Sequence, residues 1–482
     1  MGKKHGPNTS VHSPEHLPAT PPTGKIVIIH PSHGLSVYLP PFMCYKNLQK
    51  NSNRIRDRRP LVCLLTGTTT STGKAHMSLR LVIFLASIVL IIFSMHLFFF
   101  KSIMSFFSIT RPLHKAALYA AMAALTMVVI TAFMSARTYD AWWVSGYYRF
   151  AATWLGFLVH FLVAAAAVWI ACMAAHQAKL PIERNAIAAI FLLAACIYST
   201  YGIFNAFTPR VREIPVYLDN VPTAWENSKI VHLSDIHLGR VHGKRFTEKL
   251  VRQVNRIKPD IVVITGDIFD GLGGKWHGPL APILDGITAQ KGVFYVTGNH
   301  EGYIGEQRSI EMLENTTMTR LHNELIEIDG LEIVGISYPG IRSMEEIAGL
   351  PEGGKKGDTA RILLFHTPTS VIRNEGDRME RHFSTYWMPD TSFSCNRKLN
   401  IDLQLSGHTH HGQIFPANLL TRLLYKGFDY GLNRSGSIYV YTTSGAGTWG
   451  PPMRTATISE IAVIRLKKKI MSQQTNTQGS DQ

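Results

Sequence analysis

Five times between residues 229 and 410, a short run of Val, Ile, Leu and aromatic residues ends in a polar cluster. Residues 230–233 lead to Asp235-Ile236-His237, and residues 261–265 to Gly266-Asp267-Ile268-Phe269-Asp270. Residues 293–297 lead to Gly298-Asn299-His300-Glu301, residues 362–365 to His366, and residues 401–405 to Gly407-His408-Thr409-His410. Runs of this length and composition, bounded by Gly, Pro or Asp, read as buried strands. Helical segments separate them. Over residues 244–258, Phe246, Leu250, Val254 and Ile257 recur at helical spacing, and Pro259 ends the pattern. Strands alternating with helices predict an α/β core, and such cores put their chemistry at the carboxyl ends of strands.

The clusters offer carboxylate, imidazole and amide oxygen donors, a set that suits Mn, Fe, Zn or Mg. Cys395 is the one cysteine of this region, which excludes a cysteine-ligated structural zinc. A carboxylate such as Asp267 can bridge two cations with its two oxygens. Two cations roughly 3.5–4 Å apart activate water and stabilise both the attacking and the leaving oxygen of a displacement at phosphorus. One cluster alone is weak evidence; all of them in order predict a two-metal hydrolase.

The series D-x-H, G-D-x-x-D, G-N-H-E, H and G-H-x-H resembles the calcineurin-like metallophosphoesterase superfamily over residues 229–466. The segment Ser444-Gly445-Ala446-Gly447-Thr448-Trp449-Gly450-Pro451-Pro452-Met453-Arg454 is similar to a branch of membrane-associated bacterial enzymes, some of which act on UDP-2,3-diacylglucosamine. The resemblance implies an α/β metallophosphoesterase-type β-sandwich flanked by helices, with two divalent metal ions as cofactors. By position, Asp235, His237, the bridging Asp267 and His410 hold the first ion. Asp267, Asn299, His366 and His408 hold the second. His300 touches the phosphoryl oxygen and protonates the leaving group. Asp270 supplies the carboxylate that pairs with His300 and raises its pKa.

Two departures stand out. His411 occupies the position after G-H-x-H where related sequences carry Gly, so a less open turn is expected. The stretch from His366 to His408 is long, and residues 373–399 mix charges with Phe383, Tyr386, Trp387 and Phe393. That insertion is either a substrate lid or a peripheral elaboration with its own apolar patch.

Ahead of this region lie four apolar segments, residues 79–100, 113–134, 150–173 and 186–207. Each is close to the roughly 20 residues that cross a hydrocarbon core. Trp142, Trp143, Tyr147 and Tyr148 fall between the second and third, as an interfacial aromatic belt would. The expectation is a four-helix transmembrane anchor over residues 77–213, followed by the phosphoesterase domain over 214–466 and a polar tail over 467–482. Basic residues are shared equally between the two sides, so the positive-inside rule gives no orientation. His96 and His160 fall inside spans and are expected to be neutral imidazoles hydrogen-bonded between helices. No acidic residue lies in a span, which argues against a proton-coupled transporter.

The net charge of +16 gathers in the tail and at the span flanks, leaving the candidate catalytic region near neutral. That is a poor match to a phosphate-backbone binder, and no nucleic-acid partner is expected. Residues 1–76 are either a disordered basic tail, whose run Arg54, Arg56, Arg58 and Arg59 binds anionic lipid or is simply solvated, or an over-extended start preceding Met77. The five cysteines have no motif spacing and imply no disulfide framework.

The remaining candidates divide by role. His232 is expected to be structural, His242 and His277 to be exposed loop residues in preference to groups that approach the substrate, and Glu301 to support neighbouring ligands. Arg454 either clamps a phosphate or holds its own loop.

The leading expectation is a multi-pass protein of the bacterial inner membrane that hydrolyses a phosphoester or pyrophosphate in a lipid-linked or membrane-associated substrate. The alternatives are a membrane-tethered phosphodiesterase for soluble substrates, or a non-catalytic scaffold of the same fold.

Overall fold

The computed structural model describes residues 79–272, 277–351, 359–372 and 388–469. The tail over residues 1–76, most of the 373–399 insertion and residues 473–482 lie outside the described residues.

Helices α1 (Leu79–Phe106), α2 (Pro112–Thr138), α3 (Trp142–Gln177) and α4 (Arg184–Ala206) come first, and each is long and apolar enough to cross a membrane. Leu90, Leu113, Ile190 and Leu193 face outward, while Ala132, Ala151, Ala152, Ala165 and Ala188 are buried between helices. Small residues inside and large apolar ones outside suit helices packed in lipid. Helix α3 has 36 residues, about 54 Å at 1.5 Å per residue, which exceeds the roughly 30 Å hydrocarbon core. Its first turns contain Trp142, Trp143, Tyr147 and Tyr148, so the aromatic cluster expected in a connection is helical.

Both histidines of the candidate spans are hydrogen-bonded between elements. The Trp154 indole donates to Nε2 of His96 at 2.9 Å, and Nδ1 of His96 donates to the Ile92 carbonyl at 2.9 Å. His160 meets Ser199 of α4 at 2.7 Å and Thr455 at 2.9 Å.

Strand β1 (Arg210–Leu218) follows α4 almost directly, so sheet structure begins ahead of residue 214. Then come β2 (Lys229–Leu233), α5 (Lys244–Ile257), β3 (Ile261–Thr265), α6 (Ala281–Leu284), β4 (Val293–Val296), α7 (Asn299–Ile304), α8 (Glu306–Leu313) and β5 (Thr319–Arg320). Strands β6 (Glu324–Ile328), β7 (Leu331–Ile336) and β8 (Arg361–Phe365) lead to α9 (Ser394–Lys398), β9 (Leu403–Ser406) and α10 (Ala417–Leu424). The chain closes with β10 (Gly431–Ser435), β11 (Ile438–Thr442) and β12 (Glu460–Lys468). Lys467 and Lys468, expected to start the polar tail, pair instead with Tyr217 and Leu218 of β1.

Two six-stranded sheets result, ordered β1-β12-β2-β3-β4-β5 and β10-β11-β9-β8-β7-β6. Side-chain alternation along each strand builds the layers. Ile230, Ile261 and Val263 of the first sheet meet Ile333, Ile362, Leu364 and Leu403 of the second. Val231, Leu233, Val262 and Ile264 point the other way, onto Phe246, Leu250 and Val254 of α5. On the outside of the second sheet, Phe393 and Leu399 pack with Leu363, Phe365 and Val440. The end of the 373–399 insertion is therefore core structure; Phe393 is fully buried.

Loops of the sandwich dock on the helices. The buried Arg240 donates to the Ala136 carbonyl at 3.0 Å and the Tyr139 carbonyl at 2.6 Å, capping the open end of α2. The Arg454 amide donates to the Gly202 carbonyl of α4 at 2.8 Å, and Asn205 donates to the carbonyls of Arg454 and Thr457.

Candidate metal centre

Strands β2, β3 and β4 run parallel in one sheet, and β7, β8 and β9 run parallel in the other. Their carboxyl ends carry Asp235 and His237, Asp267, Asn299 and His300, His366, and His408 and His410. All of these side chains are buried.

The donors converge in two groups. Nε2 of His237 and Nε2 of His410 lie 3.0 Å apart, and the latter is 3.3 Å from Oδ1 of Asp235. Oδ1 of Asn299 is 2.9 Å from Nε2 of His366 and 3.0 Å from Nδ1 of His408. Oδ2 of Asp267 stands between the groups, 3.8 Å from His237 and 3.3 Å from His366. Donor separations of about 3.0–3.4 Å are what bonds of about 2.0–2.2 Å to one cation subtend. The residues therefore fit two cations with a carboxylate between them. Nδ1 of His366 is committed as donor to the Thr265 carbonyl at 2.8 Å, which turns Nε2 toward the centre.

The backbone is bent to achieve this. Asp235, His237, Asp267, His408 and His410 have φ of +50°, +49°, +54°, +72° and +50°. Side-chain-bearing residues in this region cost of order 1–3 kcal/mol each and persist where surrounding structure over-determines them. Glu301 is one such constraint: its carboxylate accepts from the amides of Gly298 (2.7 Å), Asp267 (2.9 Å), Ile268 (2.9 Å) and Phe269 (3.2 Å). Asp267 Oδ1 in turn accepts from the His300 amide at 2.9 Å, and Asp235 from the His408 amide at 2.9 Å. Glycine is required at two of these approaches. A Cβ on Gly298 would lie 2.2 Å from Asp267 Oδ1, and one on Gly407 would lie 2.1 Å from Asp235 Oδ2.

Burial sets the protonation states. It lowers the pKa of His408 to about 3 and that of His237 and His410 well below the ordinary value, leaving neutral donors. Burial pushes Asp235 up to about 6. Burial also acts to raise Asp267, but the charge of His366 and its hydrogen bond to the carboxylate hold that carboxyl well below the usual range. Burial acts to lower His366, and the Asp267 carboxylate outweighs it, bringing His366 to about 9. Loading a cation at Nε2 of His366 therefore requires loss of that proton.

His300 faces the centre, with Nε2 3.9 Å from Asp267 Oδ2. The expected pairing with the Asp270 carboxylate is corrected by the structure. Nδ1 of His300 donates to the Asp270 main-chain carbonyl at 2.9 Å. The Asp270 carboxylate instead meets Nε2 of His277 at 2.8 Å and accepts from the Arg240 and Leu272 amides at 3.0 Å. A loop that turns back on itself brings the carbonyl, not the side chain, to His300.

His242 and His277, expected to be exposed, are buried, His242 against Phe207 and Phe246 and His277 against Phe269. His242 meets Thr448 at 2.8 Å. His232 is structural, meeting Thr265 at 2.8 Å. Arg454 is fully buried, donates to the Gly447 carbonyl and lies 3.2 Å from Nδ1 of His410, which matches its loop-holding alternative. His411 takes φ +47°, a conformation that suits Gly, and spends its side chain on Asp429 at 2.7 Å and on the face of Tyr430. Tyr303 was not foreseen. It flanks His300 with ring centroids 4.9 Å apart, and its position three residues on along α7 was the available signal. Trp449, more than half exposed, stands at 6.3 Å from the same imidazole.

Residues 228–412 match the calcineurin-like phosphoesterase family. An uncharacterized metallophosphoesterase of Helicobacter pylori (strain J99) is 34% identical over 284 residues, covering 58% of this chain and 70% of that protein. One from Campylobacter jejuni is 34% identical over 298 residues, with the same coverage of 58% and 70%. A "transmembrane protein with metallophosphoesterase domain" of Danio rerio is 31% identical over 295 residues, covering 58% of this chain and 62% of that protein. With the ligand-bearing strand ends and these relatives in agreement, the chain belongs to the calcineurin-like metallophosphoesterases and is a metal-dependent phosphoesterase with a two-cation centre.

Proposed function

We propose that this chain is a membrane-anchored phosphohydrolase that cleaves a phosphoester or pyrophosphate bond in a lipid-linked or membrane-associated substrate. Its place is a bacterial inner membrane, a reading supported by the branch resemblance of residues 444–454. Asp235, His237, Asp267 and His410 hold one cation; Asp267, Asn299, His366 and His408 hold the other. When bound, the two ions supply Lewis-acid activation of water and neutralise charge on the phosphoryl oxygens. His300 does the proton work. With Nδ1 fixed on the Asp270 carbonyl, Nε2 is the atom that touches the phosphoryl group and passes a proton to the leaving oxygen. Asp270 acts through that carbonyl as a positioning residue.

The observation that carries the membrane part of the reading is the position of Arg454. Its side chain lies beside the ligand His410 while its amide is bonded to Gly202 in α4, so the ligand loops rest directly on the candidate spans. A site built on that floor is suited to a substrate that never leaves the bilayer surface. The test is turnover by the full chain in proteoliposomes of UDP-2,3-diacylglucosamine against the same nucleotide sugar without acyl chains. Preference for the acylated compound is expected. Equal rates would instead favour a tethered phosphodiesterase for soluble substrates.

A further inference from the structure

Helix α10, Ala417–Leu424, follows directly on the turn that carries His410, and it is amphipathic in the reverse sense. A surface helix of a globular domain turns its apolar stripe to the core. Here Leu419, Leu420 and Leu423 are 59%, 46% and 75% exposed. At helical spacing these three leucines form one stripe. On the side that faces the protein, Asn418, Thr421 and Leu424 are half-buried, and two of these three are polar. Thr421 donates to the Asp429 carboxylate at 3.1 Å, the same carboxylate that meets His411. The backbone at Asn418 comes so near Gly412 that a Cβ there would lie 2.3 Å from the Asn418 amide nitrogen. The helix is thus held against the ligand loop at Asn418 and Thr421.

Its place in the fold says what covers the leucines. The Phe415 amide, just ahead of α10, donates to Thr455 Oγ1 at 3.1 Å, and that hydroxyl lies 2.9 Å from His160 in α3. Gln413 ties the same segment to the exposed Trp449, exchanging hydrogen bonds of 3.0 and 2.9 Å with its carbonyl and amide. Tryptophan is enriched where membrane meets water. Arg422 and Lys426 are exposed beside the leucines and are suited to anionic headgroups. Apolar face, basic flank and continuity with the spans all match a lipid surface.

We infer that α10 lies in the bilayer interface with Leu419, Leu420 and Leu423 in the lipid, setting the mouth of the metal centre against the membrane surface. This rests on the membrane-anchored reading above and supplies its missing element, the route by which a lipid-borne phosphate reaches the site without leaving the bilayer.

The full chain, with its native cysteines replaced by serine, is labelled with nitrobenzoxadiazole at Leu420→Cys, Ile190→Cys or Asp329→Cys. Each is reconstituted in phosphatidylcholine–phosphatidylglycerol vesicles containing doxyl-labelled phosphatidylcholine. Ile190 is an outward residue of α4, and Asp329 lies in the hairpin at the far end of β7 from the site. Lipid quenching and a blue-shifted emission are expected at 420 and 190, with neither at 329. Quenching at 190 without quenching at 420 would overturn the proposal and leave the anchor standing. Quenching at neither would overturn both. A label at 420 shielded from lipid and from aqueous iodide alike would assign the face to a second copy of the chain and also overturn it. None of these readings depends on turnover, so failure of the substrate assignment is seen separately.

Discussion

Nδ1 of His300 donates to the main-chain carbonyl of Asp270 at 2.9 Å, while the Asp270 side chain is turned away toward His277. The orienting group is thus independent of side-chain chemistry at position 270. His300→Ala is expected to lower kcat by about 10²–10⁴-fold, the range for loss of a general acid, with two cations per chain retained. Asp270→Asn keeps the carbonyl and is expected to cost far less activity, while lowering Tm through its contacts with Arg240 and His277. Steady-state kinetics, metal content and thermal melting of both variants check this.

Glu301 shows how much of the site is held by a group that touches none of the reacting atoms. Its buried carboxylate accepts from the amides of Gly298, Asp267, Ile268 and Phe269, which include the bridging residue's own and those of the two residues after it. Glu301→Gln aims a donor at backbone donors. Loss of such supporting contacts weakens metal affinity by about 10–100-fold, and an unmatched buried group costs about 1–3 kcal/mol. Metal titration followed by fluorescence, together with Tm, would register both changes.

The dependence of the ligand loop on the spans is testable from inside α4. A Cβ on Gly202 would lie 2.5 Å from Thr455 Cγ2 and 3.4 Å from the Arg454 carbonyl oxygen. Gly202→Val is expected to displace the 453–455 segment and, through Arg454 and His410, to reduce both metal affinity and turnover. At Gly156 the nearest atom is the flexible end of Met453, so Gly156→Ala is expected to be tolerated. Parallel assays of the two variants separate a specific effect from general damage to the helices.

Acid sensitivity has a defined origin as well. Burial lowers the pKa of His232 to about 3 from an ordinary 6.5, and His242 likewise to about 3. The folded values lie below the unfolded ones, so the folded state binds fewer protons at acid pH. The resulting cost is absent above the unfolded value, grows as pH falls below it, and is complete below the folded value. Each group adds a slope of about 1.4 kcal/mol per pH unit inside that window. Tm is expected to fall as pH drops below about 6.5, and His232→Gln should make that fall shallower.

The strands and the ligand positions were legible because hydrophobic period and ligand type are written residue by residue. Ile230 to Leu233, followed by Asp235, announces both a strand and its product. The positive φ of Asp235, His237 and Asp267 left no trace, since only glycine advertises that conformation. The partner of His300 was misjudged because a carbonyl is present at every position and a carboxylate is conspicuous. His242 and His277 were misplaced because loop burial depends on what folds over the loop. The spacing of Leu419, Leu420 and Leu423 shows a stripe but not which way it faces; the contacts of Thr421 with Asp429 and of Asn418 with Gly412 turn it outward.

The most direct test of the central claim is hydrolysis of bis-p-nitrophenyl phosphate by the detergent-purified full chain, stripped of metal and then supplied with Mn, beside Asp267→Ala treated the same way. Asp267 stands between the two donor groups. Turnover that vanishes on stripping, returns with Mn and never appears in Asp267→Ala is the predicted result. Turnover that survives stripping, or that Asp267→Ala retains in full, would contradict a two-metal centre at these residues.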